Sequence, residues 1–112
     1  MSTPQEKFQK FLDEQRAEYK ITLPQKMADV RALWQAVHSG DAEATPMVEL
    51  QRLAHTLAGT AGTLGFGEVG SAAKALELLL EQAVEVGPAL TLTQRSQIAL
   101  AIDTLQAALP GP

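Results

Sequence analysis

The sequence predicts an all-α protein, an antiparallel four-helix bundle with one additional helix at its N-terminus. Three observations carry this. Apolar residues recur at steps of three and four along almost the whole chain, which is the spacing of a single helical face. No segment alternates with period two over a useful length, and no strand–helix–strand spacing appears. The breaks between periodic stretches carry helix punctuation, with Thr-Pro or Thr and Gln three apart at the starts and glycine or Pro-Gly at the ends.

Over residues 4–20, Phe8, Phe11, Leu12 and Tyr19 form a thin apolar stripe among charges of both signs, which reads as a solvated accessory helix. The next start signal is "TLPQ", where Thr22 caps and Gln25 sits at the third helical position of a capping box. Leu23, Met27, Val30, Trp34 and Val37 then follow at helical intervals until Gly40. "ATPMVEL" starts another helix, with Thr45 as N-cap and Pro46 at the first helical position, where its missing N–H has no partner to lose. Its core stripe is Leu50, Leu53, Leu57, Ala61 and Leu64, and "GFG" should stop it near Gly65. The following helix buries Val69, Ala72, Leu76, Leu79, Leu80 and Ala83 and ends before "VGP". Thr91 and Gln94 offer a last capping box, ahead of inward-facing Ile98, Ala101, Ile102, Leu105 and Leu109, and "PGP" breaks that helix. The resulting division is an accessory helix over 1–21, a four-helix bundle over 22–109, and a tail or linker start over 110–112.

Bulk composition narrows the function classes. A chain of 112 residues, 46% hydrophobic, suits one domain with one core. A net charge of −4 and a pI near 5.0 argue against nucleic acid and anionic membrane, both of which call for clustered Lys and Arg. No cysteine is present, so a disulfide framework and thiolate metal sites are excluded. The polar start "MSTPQEKFQKFLDEQ" is no signal peptide, and no apolar run reaches about 18 residues, so a cytoplasmic location is expected.

The stretch "LAHTLAGTAGTLGFG" poses the functional question. It is helical in rhythm yet holds Gly59 and Gly62, each unfavourable in a helix interior by about 1 kcal/mol relative to alanine. At about 100° per residue, His55 lies about 200° from both Leu53 and Leu57, on the face away from the core. Gly59 is about 40° from His55 and Gly62 about 20°, so the glycines flank the histidine and not the core stripe. The strip of Gln51 or Arg52, His55, Gly59 and Gly62 forms a furrow of bare backbone leading away from an exposed imidazole. Near neutral pH an imidazole keeps an unprotonated ring nitrogen that can attack a phosphoryl group, and such a furrow admits a second surface closely.

At these residues the sequence resembles a family. "RLAHTLAGTAGTLGFGEVGSAAKALE" is similar to the signature of histidine phosphotransfer (HPt) domains, in which a histidine is followed by a leucine two residues on, a glycine at four and a Leu-Gly pair near nine and ten. Here these are His55, Leu57, Gly59, Leu64 and Gly65, with Ala54 and Arg52 matching common upstream choices. The resemblance covers roughly a quarter of the chain. It implies a four-helix bundle whose histidine takes a phosphoryl group from, or passes it to, an aspartate of a response-regulator receiver domain, linked through that receiver to a hybrid sensor histidine kinase. It also implies a carrier without an ATP site or cofactor of its own, magnesium belonging to the partner receiver. The docking face would then be the surface around His55, formed by Gln51, Arg52, Ala58, Gly59 and Gly62.

One departure matters. The family usually places a lysine three residues after the histidine, where its ammonium reaches the phosphoryl oxygens, and this chain has Ala58. Arg52, one turn before His55, is a candidate substitute, and Gln51 a possible hydrogen-bond partner.

The remaining candidates read as structural. His38 sits at a helix end, where a positive charge suits the macrodipole. Glu77, Glu81 and Glu85, four apart, read as a solvated helix face, and Met27, Met47 and Trp34 as core filling. No glycine-rich phosphate loop follows a strand, and two histidines without cysteine do not make a metal site. The alternatives to a monomeric phosphoryl carrier are a non-phosphorylated helical adaptor and an oligomerisation module driven by the Phe8/Phe11/Leu12 stripe. The chain is also expected to suit the N-terminal domain of a longer signalling protein.

Overall fold

The computed structural model describes residues 2–37, 45–86 and 89–111. They form four helices, α1 Pro4–Ala36, α2 Thr45–Thr63, α3 Gly67–Val86 and α4 Leu92–Ala108. Successive helices run antiparallel around one core of buried side chains from all four, including Val30, Leu50, Leu76 and Ile102. The Gly40 helix end and the His38 cap fall outside the described residues.

The expected accessory helix is not a separate element. α1 is a single helix of 33 residues that passes through position 21 without a break. Its true start is Thr3-Pro4, where the Thr3 hydroxyl accepts from the Glu6 N–H at 3.1 Å, the same Thr-Pro signal that occurs at Thr45-Pro46. Thr22 does not cap. Its hydroxyl donates back to the Tyr19 carbonyl at 2.7 Å, a bond made inside a continuing helix. Pro24 lies inside α1, so the ladder lacks one N–H there, but Leu23, Met27 and Val30 are all buried around it. Together with Tyr19, which packs against the core and Phe66 on the other side of the proline, their burial holds the helix through a residue that would otherwise favour a break.

The two helices that carry the site are joined by a tight turn. α2 closes with a Schellman motif in which the Phe66 N–H donates to the Ala61 carbonyl at 2.8 Å and the Gly65 N–H to the Gly62 carbonyl at 3.3 Å. Gly65 takes φ +89°, a conformation that excludes most side chains, so the stop expected near Gly65 falls there. Arg16 of α1 reaches this end and donates from Nε to the Leu64 carbonyl at 2.7 Å.

α2 and α3 come into near-contact of backbones. A Cβ at Gly70 would lie 3.1 Å from the Gly62 nitrogen and 3.3 Å from the Ala58 carbonyl. α1 leans on α2, and it reaches α4 through Arg31, which contacts Asp103 and Gln106 at 3.2 Å each. α4 starts with the capping box of Thr91 and Gln94 that the sequence predicts. Of the expected core stripe of α2, Leu50, Leu57 and Ala61 are buried while Leu53 and Leu64 are half-buried; Met47 and Ala54 complete the buried face.

Candidate functional site

Burial of Leu50, Ala54, Leu57 and Ala61 turns the opposite face of α2 outward, and His55 stands on it with its side chain 74% exposed. The imidazole is nevertheless held. Its Nδ1 pairs with Oε2 of Glu77 on α3, whose side chain is only 4% exposed. Lys74, one turn earlier on α3, donates from Nζ to the other carboxylate oxygen at 3.0 Å.

Burial pushes the Glu77 carboxyl up, but hydrogen bonds from Lys74 and His55 and the adjacent positive charge outweigh it and hold the group below its ordinary value. Glu77 is therefore ionised near neutral pH. An ionised carboxylate can only accept, so Nδ1 of His55 carries the proton of this pair, which in a neutral imidazole leaves the lone pair on Nε2.

Two shallow depressions meet at the ring. One, toward α1, is lined by Gln15, His55, Thr56, Gly59, Thr60, Thr63 and Leu64. A Cβ at Gly59 would meet nothing within 4 Å, so this furrow is open space beside the imidazole. The other, toward α3, is lined by Val48, Gln51, Arg52, His55 and Glu77.

The sequence-derived site residues thus fall into two groups. Gly59 lines the α1-side furrow, and Gln51 and Arg52 line the α3-side depression. Gly62 and Ala58 belong to the α2–α3 seam. Gly62 has open space at its own Cβ position, but its backbone abuts Gly70, and Ala58 is half-buried against the core.

Sequence reasoning missed Glu77 and Lys74. Glu77 is not on a solvated face with Glu81 and Glu85; it is the one buried charged residue among those described. The readable signal was Gly70, Ala73 and Glu77 in steps of three and four, at the edge of the apolar stripe of α3. Small residues there let α2 approach and cover the carboxylate, and Lys74 sits at the spacing that pairs with it.

Among the described residues no cluster of three or more His, Asp or Glu is arranged to hold a metal ion. Among the described residues, no helix is long and apolar enough to cross a membrane.

The fold and site together define a helical-bundle domain that presents one histidine, braced from behind, on an open face. The model of the Hpt domain family matches residues 7–108, and the chain belongs to that family. Comparison with curated proteins and with solved structures gives no match. Hpt domains are phosphoryl carriers in two-component signalling, and receiver domains are their partners.

Proposed function

We propose that His55 is the phosphoryl-accepting residue and that it exchanges the group with the aspartate of a response-regulator receiver domain. The observation that supports this best is the pairing of an exposed imidazole with a buried, ionised Glu77 through Nδ1. In the forward step the Nε2 lone pair attacks the phosphorus of the receiver's aspartyl phosphate. A P–N bond forms, the acyl-phosphate P–O bond breaks, and its electron pair leaves on the aspartate carboxylate. The imidazole gains positive charge as the bond forms, and Glu77 stabilises that charge through Nδ1–H. The return step reverses each of these.

Glu77 acts as a positioning residue, and Lys74 acts through it by keeping the carboxylate ionised. With alanine at position 58, the cations that flank the site are Lys74, paired with Glu77, and Arg52, which lines the same depression as His55. The open Cβ space at Gly59 gives the aspartate-bearing loop of the receiver room to approach. On this reading the chain works as a cytoplasmic monomer without cofactor, the magnesium stays on the receiver, and the receiver connects it to a hybrid sensor histidine kinase.

The test is transfer from a panel of phosphorylated receiver domains. The expected product is acid-labile phosphate on Nε2 of His55, identified by phosphorus NMR, and none on His55→Gln. Labelling that survives in His55→Gln would remove the assignment. A non-phosphorylated adaptor would instead bind receivers equally well with either residue and acquire no phosphate.

A further inference from the structure

Among the described residues, the N-terminal third of α1 has no fully buried side chain, and Leu12 is its one half-buried residue. The first buried residue of the helix is Leu23, and Phe8 and Phe11 are 60% and 53% exposed. The level at which α1 passes the end of α2 is marked by Arg16 on the Leu64 carbonyl and by the Tyr19 ring, 5.9 Å from that of Phe66. Residues before Gln15 therefore project past the α2–α3 turn as an arm about 16 Å long at 1.5 Å per residue.

The apolar side of this arm has a defined direction. At about 100° per residue, Phe8, Phe11 and Leu12 all lie within about 60° of Gln15 around α1. Gln15 is a wall of the furrow beside His55. The aromatic stripe is thus continuous with the α1 wall of that furrow and carries it beyond the bundle.

We propose that this arm is a docking surface for the receiver domain that exchanges phosphoryl groups with His55, with Phe8 and Phe11 as its anchors. The inference rests on the relay reading above. Two arguments select the receiver over a second copy of this chain. A body seated over His55 and along the furrow meets the arm next, because Gln15 joins the two surfaces. A dimer built on the arm alone would use one face of about three helical turns, well short of the ~800 Å² per partner of a standard interface. The receiver, lying on both the His55 face and the arm, has the larger footprint. Exposed aromatic side chains are the residue type that anchors such contacts.

The experiment compares the wild-type protein with a double variant, Phe8→Glu with Phe11→Glu, in transfer from phosphorylated receivers, in labelling by the small donor phosphoramidate, and in sedimentation. The expected result is a fall of about tenfold or more in kcat/KM for the receiver, carried by KM, with melting temperature and phosphoramidate labelling unchanged. Transfer to the double variant at the wild-type rate would overturn the inference. So would a wild-type dimer that the double variant dissolves, since the arm would then belong to a second copy. A wild-type protein that labels with phosphoramidate but exchanges with no receiver counts against the relay reading itself, and that result is distinct from an unaffected double variant.

Discussion

The two sides of His55 are built on opposite principles. Toward α1 lies the furrow at Gly59, where a side chain would meet no neighbour within 4 Å. Toward α3 lies the seam at Gly70, where even a Cβ would press on the Gly62 backbone at 3.1 Å. Both glycines are unfavourable for helix formation for the same reason, and each is accommodated for a different one. Gly70 is needed so that α2 and α3 close over Glu77, which fixes the back of the imidazole. Gly59 leaves the front of the imidazole accessible. The comparison shows that glycine in a helix marks close approach, and that only the neighbours reveal whether the approaching body is the protein's own helix or another surface.

The largest effect that would test this division is on the seam side. Glu77→Gln should lower phosphotransfer by about tenfold to a hundredfold, the scale on which removing the carboxylate partner of a metal-binding histidine acts. It should also change the pH dependence of stability. Glu77 is held below its ordinary value, so it contributes stability that is present above the usual carboxylate range and is lost as pH falls through the lowered value. Between neutral pH and strong acid the wild-type protein should therefore lose more stability than Glu77→Gln. Parallel melting curves of equal slope against pH would mean that Glu77 is not coupled to folding.

Next in size is Gly70→Ala. The atoms it would strike are backbone, which cannot swing aside, so the helices must separate at a cost of about 1–3 kcal/mol, read by thermal or denaturant unfolding. A neutral result would mean that the seam is looser than the distances state.

The smallest effect, and of opposite sign, belongs to Gly59→Ala, which should stabilise by up to about 1 kcal/mol because alanine favours helix and restricts the unfolded chain. Gly59→Gln should fold as well and yet transfer poorly, its side chain filling the furrow. If the glutamine variant unfolds, Gly59 packs against something; if it transfers like the wild type, the furrow does not admit the partner.

Much of the fold was legible locally. The Thr91–Gln94 capping box, the Gly65 stop and the stripes of α3 and α4 depend on residues within a turn or two of one another. The misjudged element was α1. "TLPQ" has the letters of a capping box, but a helix start there competes with the contacts of Arg16 with Leu64 and of Tyr19 with Phe66, which come from outside α1. The site was half legible for a similar reason. His55 and Gly59 could be placed by angle on one helix, whereas Glu77 looked like one of three evenly spaced surface carboxylates until α2 was laid against α3.

By itself, then, the sequence determined the helical class, the helix ends from Gly65 onward, the outward face of His55 and the emptiness beside it, because these follow from periodicity and from bonds within a single turn. Only the tertiary structure decided that α1 runs unbroken past Pro24, that Glu77 is covered and reaches Nδ1, that Gly62 and Ala58 face a seam, and that Phe8 and Phe11 project beyond the bundle. Each of these depends on which helix lies opposite. Burial and pairing are properties of two surfaces, and one stretch of chain specifies only its own.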